Sequence, residues 1–364
     1  MADRRRRAMV AWAVKGALGT IAFALASASG GCRRSTPAPV VIYVSADETV
    51  ARPILEEFER TTGIPVVPKF DTEATKTTGL ASLLRQERSR PRADLFWSSE
   101  VFATSLLADE GVFTANDDPA LADWPPTFRD ASRRWFGFAG RARVIVYSPD
   151  RVPPDRVPQV WTDLAKEHWK GRVVMADPRF GTTRGHLGAM KLWWDGQILP
   201  GYYGAWLLGL AENDTRMLTT GNAGVVEAIV AGEADVGMTD TDDVWAAKAR
   251  GARIELVYAR HVRDEGVTGG GTLLIPNTVA LVAGGPNPEG ARRLMAWLLS
   301  PTVEARLLES DSHNIPLGPE PLPESLRSVA EAYAVPDPLR VDFLRAATTM
   351  DGAVQEAMDV LGSP

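Results

Sequence analysis

Three aspartates lie within residues 239–243, which read Thr-Asp-Thr-Asp-Asp. An apolar, strand-like stretch precedes this segment, and a helix containing Trp245 follows it. One Asp or Thr is enough to cap that helix, whereas three carboxylates so close together repel each other unless a cation or several hydrogen-bond donors lie among them. Oxygen ligands of this kind suit hard metal ions. The segment therefore predicts a cation site. Its candidate ligands are Thr239, Asp240 and Asp242, and its candidate metal ligands are Asp240, Asp242 and Asp243.

A second polar segment, residues 178–185 (PRFGTTRG), leads into a predicted helix. It offers the hydroxyl groups of Thr182 and Thr183 beside the backbone amides at the positive end of that helix. Such a turn favours an anion. A plain capping turn explains the two threonines almost as well, so both interpretations stand.

Two shorter polar segments, residues 45–48 (SADE) and 98–100 (SSE), follow predicted strands nearer the N-terminus. Open α/β sheets bind ligands where a strand ends and a helix begins. The alternative for the first segment is a helix cap whose acids offset the helix dipole. The candidate ligand residues in these segments are Ser45, Asp47, Glu48, Ser98 and Ser99, and Glu48 is also a candidate metal ligand.

The elements that must position these segments alternate between strand and helix patterns. A second series of this kind occupies residues 141–238, and residues 272–283 are again apolar and extended. Pro276 cannot donate to a sheet ladder, so we expect a bend or a crossing there. Alternation of this kind predicts an α/β fold with parallel strands covered by helices on both faces. In the first series, strands are predicted at 40–44, 64–70 and 93–97, and helices at 49–61, 77–88 and 100–110.

Length and composition indicate a folded protein of two domains. The 364 residues are 45% apolar and 24% charged, which excludes a disordered, collagen-like or multi-span membrane protein. A single core stops growing beyond about 250 to 300 residues, so we expect two domains. Residues 1–32 hold five bases and one acid; without them, 35 Lys and Arg stand against 45 Asp and Glu. The resulting net charge of about −10 argues against nucleic acid as a partner.

Residues 1–32 have the features of an export signal. Four arginines at 4–7 precede an apolar run at 16–28 that is too short to span a membrane. Cys32, the single cysteine of the chain, follows Ser-Gly-Gly, as in a bacterial lipoprotein signal, and we predict its acylation. The serine three positions earlier stands where such signals usually carry an aliphatic residue, which leaves ordinary cleavage open. Residues 33–39 predict a short polar tether.

The strong catalytic strings are missing from the sequence: GxxxxGK[ST], HExxH, GxSxG and CxxC do not occur. The four histidines are scattered, and we expect them at surface or cap positions. These observations favour binding over catalysis. A metal-dependent hydrolase built on Asp240, Asp242 and Glu48 is the alternative.

Six strings follow one another along the chain: FERTTGIPV at 58–66, DLFWSS at 94–99, WKGRV at 169–173, GEADVG at 232–237, IPNTVA at 275–280 and LSP at 299–301. In this order they resemble the solute-binding receptors of ABC importers, in the ferric-iron-binding group. The resemblance covers nearly the whole chain after the export signal. It implies the type II periplasmic binding protein fold: two lobes, each a mixed sheet flanked by helices, joined by two crossing strands.

The resemblance also implies boundaries and a mechanism. Residues 40–140 and 276–364 would form lobe 1 and residues 141–275 lobe 2, with the crossings at 138–146 and 273–281. The lobes would close on a ligand in the cleft between them. In iron-binding members, a His or acid after the first strand, a Glu of the same lobe and two adjacent tyrosines hold the metal, and a small anion completes the site at a helix N-terminus.

Mapped onto this chain, the first of these positions falls at Asp47 or Glu48, and the anion turn at Thr182 and Thr183. The two tyrosines do not map, because Asp242 and Asp243 stand in their place. Carboxylates retain the preference for a hard cation but remove the phenolates that suit iron(III). The cargo implied is therefore ferric iron with a small synergistic anion, or another small charged solute. A polyamine, a phosphonate or another small organic solute is the alternative.

The resemblance further implies partners and location. The protein would be a monomer outside the cytoplasm, in the periplasm or lipid-anchored on the outer face of the cytoplasmic membrane. It would deliver a small charged solute to the transmembrane subunits of an ABC permease. A sensory or scaffolding protein that signals through the same cleft is a third hypothesis.

Overall fold

A computed structural model describes residues 37–71, 77–264, 267 and 269–362. The predicted export signal, including Cys32, lies outside the described residues, as does most of the predicted tether. From Pro37 onward the chain forms one compact unit. No helix in the described part of the chain has both the length and the apolar character that a membrane crossing needs.

The described residues contain ten strands. The strands are β1 (Val40–Val44), β2 (Val66–Phe70), β3 (Leu95–Ser98), β4 (Phe113–Thr114), β5 (Phe136–Tyr147), β6 (Val173–Ala176), β7 (Arg216–Leu218), β8 (Val236–Asp240), β9 (Glu255–Val257) and β10 (Leu274–Val282). They pair in the order β2-β1-β3-β10-β5-β8-β6-β7, while β4 pairs with β10 and β9 with β5.

The long strand β5 joins two half-sheets. Its first part pairs with β10 in the first half-sheet, which also holds β1, β2, β3 and β4. Its second part pairs with β8 and β9 in the second half-sheet, which also holds β6 and β7. The predicted parallel pairing is confirmed for β1 with β2 and β3, and for β6 with β7 and β8. Because β5 and β10 run antiparallel to their neighbours, both half-sheets are mixed.

The bend predicted at Pro276 is confirmed, since the register of β10 against β5 shifts between Ile275 and Asn277. Strand β5 begins before residue 141, where the sequence predicted its start. Glycines lowered the strand propensity of that earlier part. One of them is required by close packing, because a Cβ atom at Gly137 would lie 2.8 Å from Cβ of Pro276.

Eleven α-helices lie in the described residues, on both faces of the half-sheets. The helices are α1 (Glu48–Thr62), α2 (Thr78–Gln86), α3 (Phe102–Asp109), α4 (Gly181–Gln197), α5 (Tyr202–Glu212), α6 (Gly221–Val230), α7 (Thr241–Ala249), α8 (Pro288–Leu298), α9 (Pro301–Glu309), α10 (Glu324–Tyr333) and α11 (Phe343–Leu361). The last helix packs most extensively against α4 and also contacts α3 and α5.

Helix α1 shows how local sequence sets an element. Ala51, Ile54, Leu55 and Phe58 recur at helical spacing and form its buried face. The helix ends at Gly63, whose φ of 70° is left-handed and whose N–H donates to the carbonyl of Glu59 at 2.8 Å. The helix therefore begins at Glu48, the last residue of the predicted ligand segment 45–48, which directly follows β1.

Two histidines are buried and paired, which contradicts the expected surface or cap positions. Nε2 of His186 lies 3.2 Å from Nε2 of His261, and Nδ1 of His261 lies 2.7 Å from the carbonyl oxygen of Gly271. A carbonyl only accepts, so Nδ1 of neutral His261 carries the proton and its Nε2 accepts from His186. Burial next to Trp161 lowers the pKa of His261 to about 4 and the pKa of His186 well below its usual value.

Acid should destabilise the protein through this pair. The unfolded chain binds a proton at His261 near pH 6.5, whereas the folded chain does not until about pH 4. We therefore expect the free energy of unfolding to fall by about 2 kcal/mol from pH 7.5 to pH 5 through this residue alone. Urea unfolding at the two pH values measures the fall. The His261→Asn variant should lose less stability, whereas His168→Asn, at an exposed histidine whose pKa is also lowered, should stay closer to the wild type than His261→Asn does. Equal losses in all three proteins would contradict the assignment.

Candidate functional site

A cavity of about 190 Å³ lies where the two half-sheets meet. The N-terminal turns of α4, α6 and α7 form most of its wall, and the first half-sheet contributes residues that follow β1 and β3. A larger cavity of about 990 Å³ adjoins it and shares Asp47, Ala223 and Asp243 with it. The predicted site residues that line the smaller cavity are Asp47, Ser99, Thr182, Thr183, Asp240, Asp242 and Asp243.

The aspartate segment is the acidic side of this cavity. Strand β8 ends at Asp240, and Asp242 and Asp243 lie in the first turn of α7, where the helix dipole favours negative charge. One carboxylate oxygen from each of the three residues lies within 4.8 Å of the other two. The structure thus brings together the three acids that the sequence indicated, in a set that can offer three oxygen ligands to a metal ion.

Asp240 is buried and surrounded by donors. Its carboxylate accepts hydrogen bonds from the Thr182 hydroxyl at 2.6 Å, the Asn222 amide at 2.9 Å and Nη1 of Arg143 at 2.9 Å. Nε of Arg141 lies 3.3 Å away. Burial alone would raise the pKa of Asp240, but Arg143 and Arg141 hold this pKa below its usual value. Asp240 is therefore ionised at neutral pH.

Two arginines of β5 complete the site, and sequence reasoning missed both. Arg143 is fully buried, and its Nη2 also lies 3.3 Å from the Thr183 hydroxyl. Arg141 lines the cavity, and its Nε lies 3.4 Å from Oδ2 of Asp242. The sequence did contain a sign of both arginines. Two cationic residues at alternate positions of an apolar strand point to the same side of the sheet, and when buried they need carboxylate partners.

The predicted anion turn binds the protein's own carboxylate. Thr182 and Thr183 begin α4 as expected, but the Thr182 hydroxyl donates to Asp240. Asn222, in the first turn of α6, donates to the same carboxylate and was not predicted. The segment Thr219-Thr220-Gly221 precedes Asn222, and Gly221 has a left-handed φ of 72°. Two threonines and a glycine also occur at the start of α4. This likeness between the two segments was the signal that a second helix N-terminus faces the site.

Four predicted site residues lie away from the cavity wall. Three of them are buried behind the wall: Ser45, Ser98 and Thr239. The hydroxyls of Ser45 and Ser98 accept hydrogen bonds from backbone N–H groups. The hydroxyl of Thr239 donates a hydrogen bond to a backbone carbonyl. Glu48 is exposed on α1, where Nε of Arg52 donates to it at 2.9 Å. The structure therefore does not bring Glu48 to the carboxylates proposed for a hydrolase.

Comparison with known proteins gives consistent similarities. The family model described as bacterial extracellular solute-binding protein matches residues 44–305. The Fe(3+)-binding periplasmic protein of Serratia marcescens is 29% identical over 267 residues, which are 71% of this chain and 75% of that protein. The major ferric iron-binding protein of Neisseria meningitidis is 24% identical over 310 residues, covering 82% of this chain and 87% of that protein.

Solved structures show the same similarity in fold. Iron-bound HitA from Pseudomonas aeruginosa superposes with a TM-score of 0.74 at 21% identity, over 89% of this chain and 99% of that one. The apo ferric ion-binding protein A of Pasteurella haemolytica also has a TM-score of 0.74, at 22% identity, over 88% of this chain and 97% of that one. At this level of identity the comparison concerns the fold.

Proposed function

Because this chain belongs to the bacterial extracellular solute-binding proteins, we propose that it is the receptor of an ABC importer whose cargo is ferric iron or another small, positively charged solute. Its two-lobed α/β fold is the one predicted from the sequence. The observation that carries the proposal is the cluster of Asp240, Asp242 and Asp243, whose oxygens lie within 4.8 Å of one another at a cavity. The iron-binding relatives named above support iron as the first cargo to test.

Charge supports a cation over an anion. Five aspartates line the cavity, whereas three guanidinium groups lie nearby. Arg141 is in the wall, Arg143 lies behind it, and Arg179 pairs with Asp177. The side chains alone leave an excess of about two negative charges. The three helix N-termini, each equivalent to about half a positive charge, reduce this excess but do not cancel it, so the charge of the site still favours a cation. A free anionic solute such as a phosphonate would meet this excess and is disfavoured.

An organic cation such as a polyamine is the second candidate. The adjoining cavity of about 990 Å³ is far larger than a metal ion needs. Its wall is rich in small apolar side chains, among them Val50, Ala223, Val226 and Ala246. An aliphatic chain could lie there while its ammonium group contacts the aspartates.

The site lies where closure of two lobes would act on it. We assign residues 40–140 and 276–364 to lobe 1 and residues 141–275 to lobe 2, with α11 packed against helices of both. Strand β5 passes from one half-sheet to the other and carries Arg141 and Arg143. Cargo bound to Asp242 and Asp243 of lobe 2 and to Asp47 of lobe 1 would favour the closed state by contacting both lobes.

Location and partners complete the proposal. The predicted export signal would carry the protein out of the cytoplasm, where an acylated Cys32 would anchor it to the membrane as a monomer. Its macromolecular partner is the permease of an ABC importer, and nucleic acid has no role.

Thermal unfolding of protein stripped of bound solute tests the proposal. A true cargo at a hundredfold excess over its Kd should stabilise the folded state by about 2.7 kcal/mol. The panel contains ferric iron, divalent metals, polyamines, phosphonates and sugar phosphates, and elemental and mass analysis of the protein as purified identifies what copurifies with it. A flat response to the whole panel would remove the main support for a receptor.

A further inference from the structure

We propose that the carboxylate of Asp240 fills the position of a co-bound anion, so that this receptor takes up its cation without a free anion. The inference rests on the proposed function, because it concerns how the same cavity accepts its cargo. The anion turn indicated by the sequence is present in the fold, but its side-chain donors already bind a group of the protein itself.

The donors converge on this one carboxylate from three separate elements. Thr182 comes from the N-terminal turn of α4, Asn222 from that of α6, and Arg143 from β5. Their distances to the oxygens of Asp240 are 2.6, 2.9 and 2.9 Å. Two helix N-termini and a guanidinium group form the kind of site that binds a phosphate or a carboxylate.

A free anion would have to compete with Asp240 for these donors. Such an anion would also lie near Asp242 and Asp243, whose oxygens are within 4.8 Å of those of Asp240. Repulsion from three carboxylates in a buried site opposes its entry. The tethered carboxylate therefore balances the charge of Arg143, while Arg141 lies near both Asp240 and Asp242. The three carboxylates still exceed the two guanidinium groups by one negative charge, which a cation can balance.

Removing this carboxylate should create an anion site. Without Asp240, the buried guanidinium group of Arg143 would lose its closest carboxylate. Nε of Arg143 has no hydrogen-bond partner among the described residues, so the guanidinium group also has a donor to spare. A small carboxylate or phosphate that enters the space would restore the lost pairing.

The first experiment compares the binding of ferric chloride to the wild-type protein in buffer freed of phosphate and bicarbonate, and in the same buffer with either anion added. We expect affinities within about twofold of each other, a difference well under 1 kcal/mol. A rise of about tenfold or more on adding either anion would overturn the proposal.

The second experiment needs no cargo. Formate and inorganic phosphate should raise the melting temperature of the Asp240→Ala variant and leave the wild type unchanged. Asp177→Ala is the matched control, since Asp177 lines the same cavity but pairs with the exposed Arg179 and should show no anion response. If Asp240→Ala does not fold, Asp240→Ser, whose smaller side chain also leaves the space of the carboxylate open to an anion, takes its place.

The outcomes separate this inference from the proposed function. A folded Asp240 variant with no response to formate or phosphate overturns the inference even if the wild type binds iron. A wild type that binds no cation overturns the proposed function, while an anion response confined to the Asp240 variant still supports the assignment of Asp240.

Discussion

Replacement of both Asp242 and Asp243 by Asn should weaken cation binding by about a hundredfold or more. Each carboxylate lies at the cavity, and the two supply two of the five aspartate charges in its wall. A lost interaction with a charged group costs about 1.5 to 3 kcal/mol, which is roughly tenfold to a hundredfold in affinity per residue. Isothermal titration with the best ligand of the thermal panel measures the loss.

The matched control is Asp214→Asn. Asp214 is an exposed aspartate in the same half of the protein, and its φ of 52° suits Asn as well as Asp. This variant should bind the cation like the wild type. If the double variant also kept wild-type affinity while its melting temperature was unchanged, the aspartate cluster would not be the cargo site.

Replacement of Arg143 by Met should destabilise the fold by about 3 to 5 kcal/mol. Removing one partner of a buried ion pair leaves the other charge uncompensated, which costs far more than an exposed pair. Arg143 is fully buried and donates to Asp240 at 2.9 Å, so Asp240 would keep only Arg141 as a cationic partner. Urea unfolding at neutral pH measures the difference.

Arg179→Met is the control for this prediction. Arg179 also pairs with an aspartate of the cavity wall, Asp177, but its side chain is 53% exposed. Solvent screens exposed pairs so that they contribute little to stability, and this variant should remain close to the wild type. Equal stability of the Arg143 and Arg179 variants would mean that Asp240 is not held as an ion in the folded protein.

Local sequence predicted that the three aspartates lie together at a strand–helix junction, and the structure has them there; their role as cargo ligands stays a prediction. Asp240, Asp242 and Asp243 follow an apolar strand and begin a helix, and that junction is the place where α/β sheets present ligands. The same local pattern located Asp47, Ser99, Thr182 and Thr183, which all line the cavity. The alternation of strands and helices likewise predicted most elements, because it depends on residues that are neighbours along the chain.

Local sequence did not show which of the two adjacent acids, Asp47 or Glu48, lines the cavity. The two residues are adjacent at the start of α1, and one step along a helix turns the side chain by about 100°. Asp47 lines the cavity, whereas Glu48 pairs with Arg52 on the exposed face. The i,i+4 spacing of Glu48 and Arg52 was visible in the sequence and was the available clue.

The sequence by itself determined the fold class, the cavity-forming junctions and the acidic character of the site, because each of these follows from short-range patterns. Only the tertiary structure decided the role of Asp240, since its partner Arg143 lies 97 residues away along the chain and its other donors begin two further helices. Whether a carboxylate binds cargo or neutralises a buried arginine depends on which distant groups surround it, and no local pattern specifies those groups.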